Sequence, residues 1–273
     1  MNRQVGLEYL SVFGLPVLDY AELAARLSCD FISLNFSGAA NRLPPYSPED
    51  LRADHGLRKR LKRSVEDLGL RICLVEGFAI TPEKPAAFYA RDLDDAAELG
   101  ASAICAVSLD KNLPNTQEQF FELAEAAASR RLLVTTELAA GVIRNIEIAR
   151  QTLGAVKHPN FKLLIDTMHF FRRGSTLQDL KALPPAAIGH VQLCDAPSQP
   201  QGESYMEEAL FERRGLGDGD LPLAAFMAEI APSIPIGLEI PMRALAERGI
   251  DAYDRLRPSV AKAREWGRCG ASS

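Results

Sequence analysis

Apolar residues along this chain fall in short dense runs, separated by segments in which they recur every three or four positions. The runs cover roughly 4–13, 31–37, 70–79, 102–109, 132–138, 161–167, 188–195 and 234–241, the length of strands. Ser102-Ala-Ile-Cys-Ala-Val has no polar alternation, which suits a parallel strand buried on both faces. The segments between, near 18–28, 49–68, 84–99, 116–130, 144–155, 176–183, 221–231 and 251–266, carry helical periodicity. In the most basic of them, Leu57-Arg58-Lys59-Arg60-Leu61-Lys62-Arg63, the residues Leu57, Leu61, Val65 and Leu68 share one side. The basic residues are therefore expected on the solvated face. Strict alternation of eight strands with eight helices predicts an α/β protein of (β/α)8 barrel type, one domain over residues 1–273.

Four of the later runs close on a polar side chain: Glu137 after Leu132-Leu-Val-Thr-Thr, Asp166 after Phe161-Lys-Leu-Leu-Ile, Gln192 after Ile188-Gly-His-Val, and Glu239 after Ile234-Pro-Ile-Gly-Leu. A carboxylate at the end of a buried strand loses hydration, which costs several kcal/mol unless a cation or hydrogen-bond donors replace the water. Neighbouring parallel strands of a closed barrel bring their C-terminal ends to one spot, so these residues are candidate metal ligands. All four bind through oxygen, which fits Mg²⁺ or Mn²⁺ better than zinc. His169, three residues past Asp166, is placed to reach a substrate over the metal. His190 shares a strand face with Gln192 and is expected one layer deeper; with the opposite order it becomes the fourth ligand.

Two strand-to-helix connections are long, Gly38 to Asp50 and Ala196 to Asp220, and long loops at strand C-termini of a barrel are places for binding residues. The second carries Arg213 and Arg214, candidate partners for substrate oxygens. Asn35, Glu76 and Phe78 near other strand ends could line the pocket, ordinary packing or capping being the alternative. A net charge of −5 and a pI near 5.5 speak against a nucleic-acid groove, and no GxGxxG or P-loop follows the first strand. Cys29, Cys73, Cys105, Cys194 and Cys269 are scattered, so reduced thiols in a cytoplasmic protein are expected. No run approaches the ~20 apolar residues of a membrane span. The expected partner is a small-molecule substrate, with neither nucleic acid nor membrane, in a chain that can form homo-oligomers.

Glu137, Asp166-x-x-His169, the segment Gly189-His-Val-Gln192-Leu-Cys-Asp195 and Gly237-Leu-Glu239 resemble the xylose-isomerase-like TIM-barrel superfamily. That group includes sugar-phosphate isomerases and epimerases, ketose 3-epimerases, hydroxypyruvate isomerases, inosose dehydratases and 3-dehydroshikimate dehydratases. The resemblance implies a metal on Glu137, Asp166, Gln192 and Glu239, with His169 and Arg213 or Arg214 contacting substrate. Many of its epimerases carry His where this chain has Gln192; the hydroxypyruvate-isomerase-like and dehydroshikimate-dehydratase-like branches are similar in carrying Gln. A metal on the carbonyl and adjacent hydroxyl of an α-hydroxy ketone or aldehyde would stabilise an enediolate, with Glu137 and Glu239 removing and returning the proton. The leading expectation is a Mn- or Mg-dependent isomerase or epimerase. A lyase of the 3-dehydroshikimate dehydratase type comes second, and a non-catalytic metal- and ligand-binding barrel third. A nuclease of the endonuclease IV type would need a histidine-rich zinc site, and the chain has four histidines in all.

Overall fold

The computed structural model describes residues 3–138, 141–201 and 204–269, the side chains of Pro185, Arg268 and Cys269 apart. Eight strands, β1 (Val5–Leu7), β2 (Phe31–Asn35), β3 (Arg71–Ile80), β4 (Ala103–Ser108), β5 (Leu133–Glu137), β6 (Phe161–Asp166), β7 (Ile188–Leu193) and β8 (Ile236–Leu238), pair in sequence order into a closed parallel barrel. Val5, Gly6 and Leu7 face Ile236, Gly237 and Leu238 across the closing seam. Both glycines are required there. A Cβ on Gly6 would lie 2.3 Å from the Phe31 ring, and one on Gly237 would lie 1.5 Å from a Glu8 carboxylate oxygen.

Around the barrel run α1 (Val17–Arg26), α2 (His55–Asp67), α3 (Ala90–Glu98), α4 (Leu113–Ala128), α5 (Ile146–Val156), α6 (Thr167–Arg172), α7 (Leu177–Lys181), α8 (Tyr205–Phe211), α9 (Leu223–Glu229), α10 (Arg243–Glu247) and α11 (Ala252–Cys269). Local chemistry starts many of them. Asp54, Asn112, Asn145 and Ser204 accept from first-turn backbone N–H groups of α2, α4, α5 and α8, and Thr176 with Asp179 forms a reciprocal cap on α7. Inside the barrel, Leu74, Ala103, Cys105 and Leu164 make a small apolar cluster, separate from the larger core between strands and helices. Cys29, Cys73, Cys105 and Cys194 are buried free thiols, while the Cys269 side chain lies outside the described residues.

The (β/α)8 expectation holds, with four local corrections. The first run yields a strand of only three residues, because the chain turns into a 3-10 helix at Tyr9–Val12. On α2, Leu57, Leu61 and Val65 are buried but Leu68 is 37% exposed, since it falls past the last helical turn. Arg58 is not on the solvated face: it is buried and pairs with Asp95 of α3 at 2.8 Å. The long connection after β7 also contains α8, which the apolar pattern did not single out.

Candidate functional site

Parallel closure brings the strand ends together as expected. β5 ends on Glu137 and β6 on Asp166, Gln192 is next to last in β7, and Glu239 follows β8. Asp166 and Gln192 are register partners, and Gln192 faces Gly237 on the other side. Glu8 joins them from the end of β1, and Glu76 from β3. Glu8, Asp166, Gln192 and Glu239 are buried, and the Glu137 side chain keeps 16% of its surface.

Asp166 uses its two oxygens differently. Oδ1 accepts from the His169 backbone N–H at 2.9 Å and so caps α6, while Oδ2 meets the Arg213 guanidinium. The same Arg213 Nη1 lies 2.7 Å from Glu239 Oε2, and Nε donates to the Ala209 carbonyl at 2.7 Å. His169 Nε2 is 3.4 Å from Glu137 Oε1, and Nδ1 is hydrogen-bonded to the Tyr205 hydroxyl. One ligand atom from each of Glu137, Asp166 and His169 lies within 4.8 Å of the others, a grouping able to hold a metal ion.

Electrostatics point the same way. Glu8, Glu76, Glu137, Asp166 and Glu239 are five carboxylates in one desolvated space. Arg213 acts on Glu76, Glu137, Asp166 and Glu239, and His190 on Glu76 and Glu8. Burial, with the field of Asp166, raises Glu137 to about 8; burial, with Glu8, raises Glu76 to about 7; Glu239 is also pushed well above the ordinary carboxylate range by burial. Asp166 alone is lowered: burial works against its charge, but Arg213 and the His169 N–H outweigh it. Burial lowers His169 to about 4, so it is neutral. Burial lowers His190, but Glu8, 2.7 Å from Nε2, and Cys73 together outweigh it and raise the group to about 10. Buried carboxylates in surplus, with ligand atoms of Glu137, Asp166 and His169 within 4.8 Å of one another, are a donor set that a divalent cation satisfies.

His190 lies beneath Gln192 as expected, with Nε2 on Glu8 and Nδ1 3.9 Å from Cys73 Sγ. Neither ring nitrogen is free for a substrate. Of the two loop arginines, Arg213 is buried in the site. The Arg214 guanidinium points elsewhere, to the Asp218 carbonyl at 3.1 Å and Gln201 at 2.7 Å. Asn35 accepts from the Ser37 N–H at 2.8 Å, a turn contact, and Phe78 is core. Glu8 and Tyr205 were not singled out from the sequence. Glu8 closes a strand like the others, but the apolar run continues past it through Phe13 and hides the ending. Tyr205 gives no local signal, because its contact spans 36 residues.

α8 forms a cover over this mouth. Glu208 pairs with Arg172 of α6 at 2.5 Å, and Asn41 of the first long loop donates to the Leu210 and Leu10 carbonyls, both at 2.8 Å. Asp195 staples the rest of the connection, accepting from Ala196, Gly217 and Leu221 N–H groups at 2.9, 2.8 and 3.2 Å and pairing its backbone with Arg214.

A profile of the family described as xylose isomerase-like TIM barrel matches residues 21–264. A search of curated proteins by sequence returned no match. Among solved structures, the IolI protein with a bound zinc atom superposes with a TM-score of 0.79 at 16% identity, covering 99% of this chain and all of that one. The probable 3-DHS dehydratase AsbF of Bacillus anthracis and the D-psicose 3-epimerase of Clostridium cellulolyticum H10 give TM-scores of 0.73 and 0.72, both at 16% identity over 96% of this chain and 98% of theirs. The chain spans 42% of a longer xylose isomerase-like TIM barrel/4-hydroxyphenylpyruvate dioxygenase fusion protein, at 20% identity over 95% of this chain and a TM-score of 0.77. At such identities the structural likeness establishes the fold alone.

Proposed function

Because the chain belongs to the xylose isomerase-like TIM barrel family, we propose that it is a divalent-metal-dependent isomerase or epimerase of a small sugar or α-hydroxy carbonyl compound. The observation that carries this reading is the surplus of buried carboxylates at the barrel mouth, three of them with raised pKa. Glu137, Asp166, Gln192 and Glu239 would hold the metal. Bound there, it would polarise a substrate carbonyl and offset the negative charge that develops on its oxygen.

The protein's own groups supply the rest. Glu137 and Glu239 enter from β5 and β8, and as carboxylates they can take a proton from the carbon beside the carbonyl and give it back. Return to the neighbouring carbon isomerises; return to the opposite face of the same carbon epimerises. Neutral His169 offers a hydrogen bond rather than a charge, and Tyr205 on Nδ1 favours the tautomer with its proton on Nε2, towards Glu137. Arg213 holds Asp166 and Glu239 in place.

The pair Tyr205–His169 also supports a second reading. It is a proton donor separate from the two glutamates, as expulsion of a β-hydroxyl would need, so dehydration of the 3-dehydroshikimate type follows as the alternative. One experiment separates the readings. Protein stripped and reloaded with Mn²⁺ or Mg²⁺ is incubated in D₂O with ketoses, hydroxypyruvate and 3-dehydroshikimate, and products are read by NMR after metal removal. Deuterium beside the carbonyl, lost in Glu239→Gln, is the expected result, with an isomer as product; protocatechuate would select the lyase. Neither exchange nor product despite stoichiometric metal would leave the non-catalytic binding barrel.

A further inference from the structure

A primary amide has a donor end and an acceptor end of nearly the same shape, and only the oxygen ligates a hard cation. Which end of Gln192 faces the site is therefore a functional choice. In the structure its Nε2 donates to Glu76 Oε1 at 3.1 Å and to Glu8 Oε2 at 3.5 Å. Among the described residues, nothing donates to Oε1. Glu8 is fixed in turn: its other oxygen accepts from His190 Nε2 at 2.7 Å, and Gly237 leaves the space a Cβ would close. Turning the amide over would lose both bonds and set a carbonyl oxygen against Glu8 Oε2 and, once Glu76 is ionised, against a second carboxylate, a repulsion that low dielectric makes large.

We propose that Glu8 and Glu76 are positioning residues that turn Gln192 so that its carbonyl oxygen faces the cation site shared by Asp166 and Glu239. This rests on the metal reading above. It gives the chain a four-oxygen ligand set, suited to a hard cation, and it assigns a task to two carboxylates that would not themselves touch the metal.

The orientation can be read without metal. In the metal-free chain labelled with ¹⁵N-glutamine, the Gln192 side-chain NH₂ peaks, assigned through Gln192→Glu, should be shifted and slow to exchange. They should stay so in Glu76→Gln, which keeps an acceptor, and become ordinary and fast-exchanging in Glu76→Ala. Unprotected peaks in the native chain would overturn the proposal. Mn²⁺ affinity, followed by EPR of the free ion, should fall roughly 10- to 100-fold in Glu76→Ala and much less in Glu76→Gln. Both variants lose the same charge, so their difference isolates the hydrogen bond, and it should vanish when Gln192 is also replaced by Ala. Equal losses in the two variants, or a difference that survives without Gln192, would overturn the positioning role. A native chain with protected amide peaks but no bound Mn²⁺ would overturn the metal reading instead, and with it the ligand role given to the oxygen.

Discussion

Asp166 shows how one residue can satisfy a structural and a functional reading together. One oxygen caps α6, as a strand-end carboxylate often does, and the other faces Arg213 inside the site. Removing Arg213 should expose that dependence. Arg213→Met leaves Asp166 and Glu239 buried without a cation and is expected to cost about 3–5 kcal/mol in urea unfolding of the metal-free chain. Mn²⁺ should recover part of the loss. The raised groups give a pH dependence of definite sign. Glu137 at about 8 and Glu76 at about 7 lie above the ordinary glutamate value of 4.5, so the stability tied to their protons is complete below that value and lost as pH rises through 7 and 8. His190, raised from 6.5 to about 10, loses stability over that interval in the same direction. His169, lowered from 6.5 to about 4, has the opposite sign and matters mainly below 6.5. Between pH 6.5 and 8.5 the losses therefore dominate. The Tm of the metal-free chain should fall by several degrees across that interval, and saturating Mn²⁺, taking the place of the protons, should reduce the fall. A metal-free Tm that climbs with pH would contradict the account.

At the level of elements, the connection from Ala196 to Asp220 does most to complete the site. It delivers Tyr205 and Arg213, and its shape depends on Asp195 at the end of β7. The run Gly215-Leu-Gly-Asp-Gly suits that staple: Gly217 has φ +89°, a left-handed conformation, and a Cβ on Gly219 would come within 2.4 Å of Asp195 Oδ1. Asp195→Ala frees three backbone N–H groups and should lower stability by about 1–3 kcal/mol. Limited proteolysis should then cut within 196–220 first, while the barrel core stays protected. Cleavage elsewhere at the same rate would show that the connection is held by other contacts. The sequence marks this stretch as a long connection of the kind that carries binding residues, but not α8 within it. A short helix held by Asn41 and Arg172 owes its place to distant partners rather than to its own periodicity.

Across the whole molecule, the candidate ligands belong to four consecutive strands of a ring closed by β1 against β8. A metal held by β5, β6, β7 and β8 would tie that half of the ring together, so chelation should lower the Tm of the loaded protein. With free metal at about a hundred times its dissociation constant, the expected stabilisation is about 2.7 kcal/mol. Calorimetry with and without chelator reads it, and identical melts would count against a metal bound by the folded state. The alternation of buried runs and amphipathic segments was enough for the eight-stranded ring and for Glu137, Asp166, Gln192 and Glu239 at strand ends, because strand period and burial are local properties of composition. What the chain alone left open was the set of partners. Arg213 rather than Arg214 enters the site, His190 turns to Glu8, and Tyr205 meets His169, through contacts between residues far apart in the chain, up to 182 positions for His190 and Glu8. Such pairings depend on which side chains the closed ring brings within hydrogen-bond distance in a dry space, and only the tertiary structure decides that.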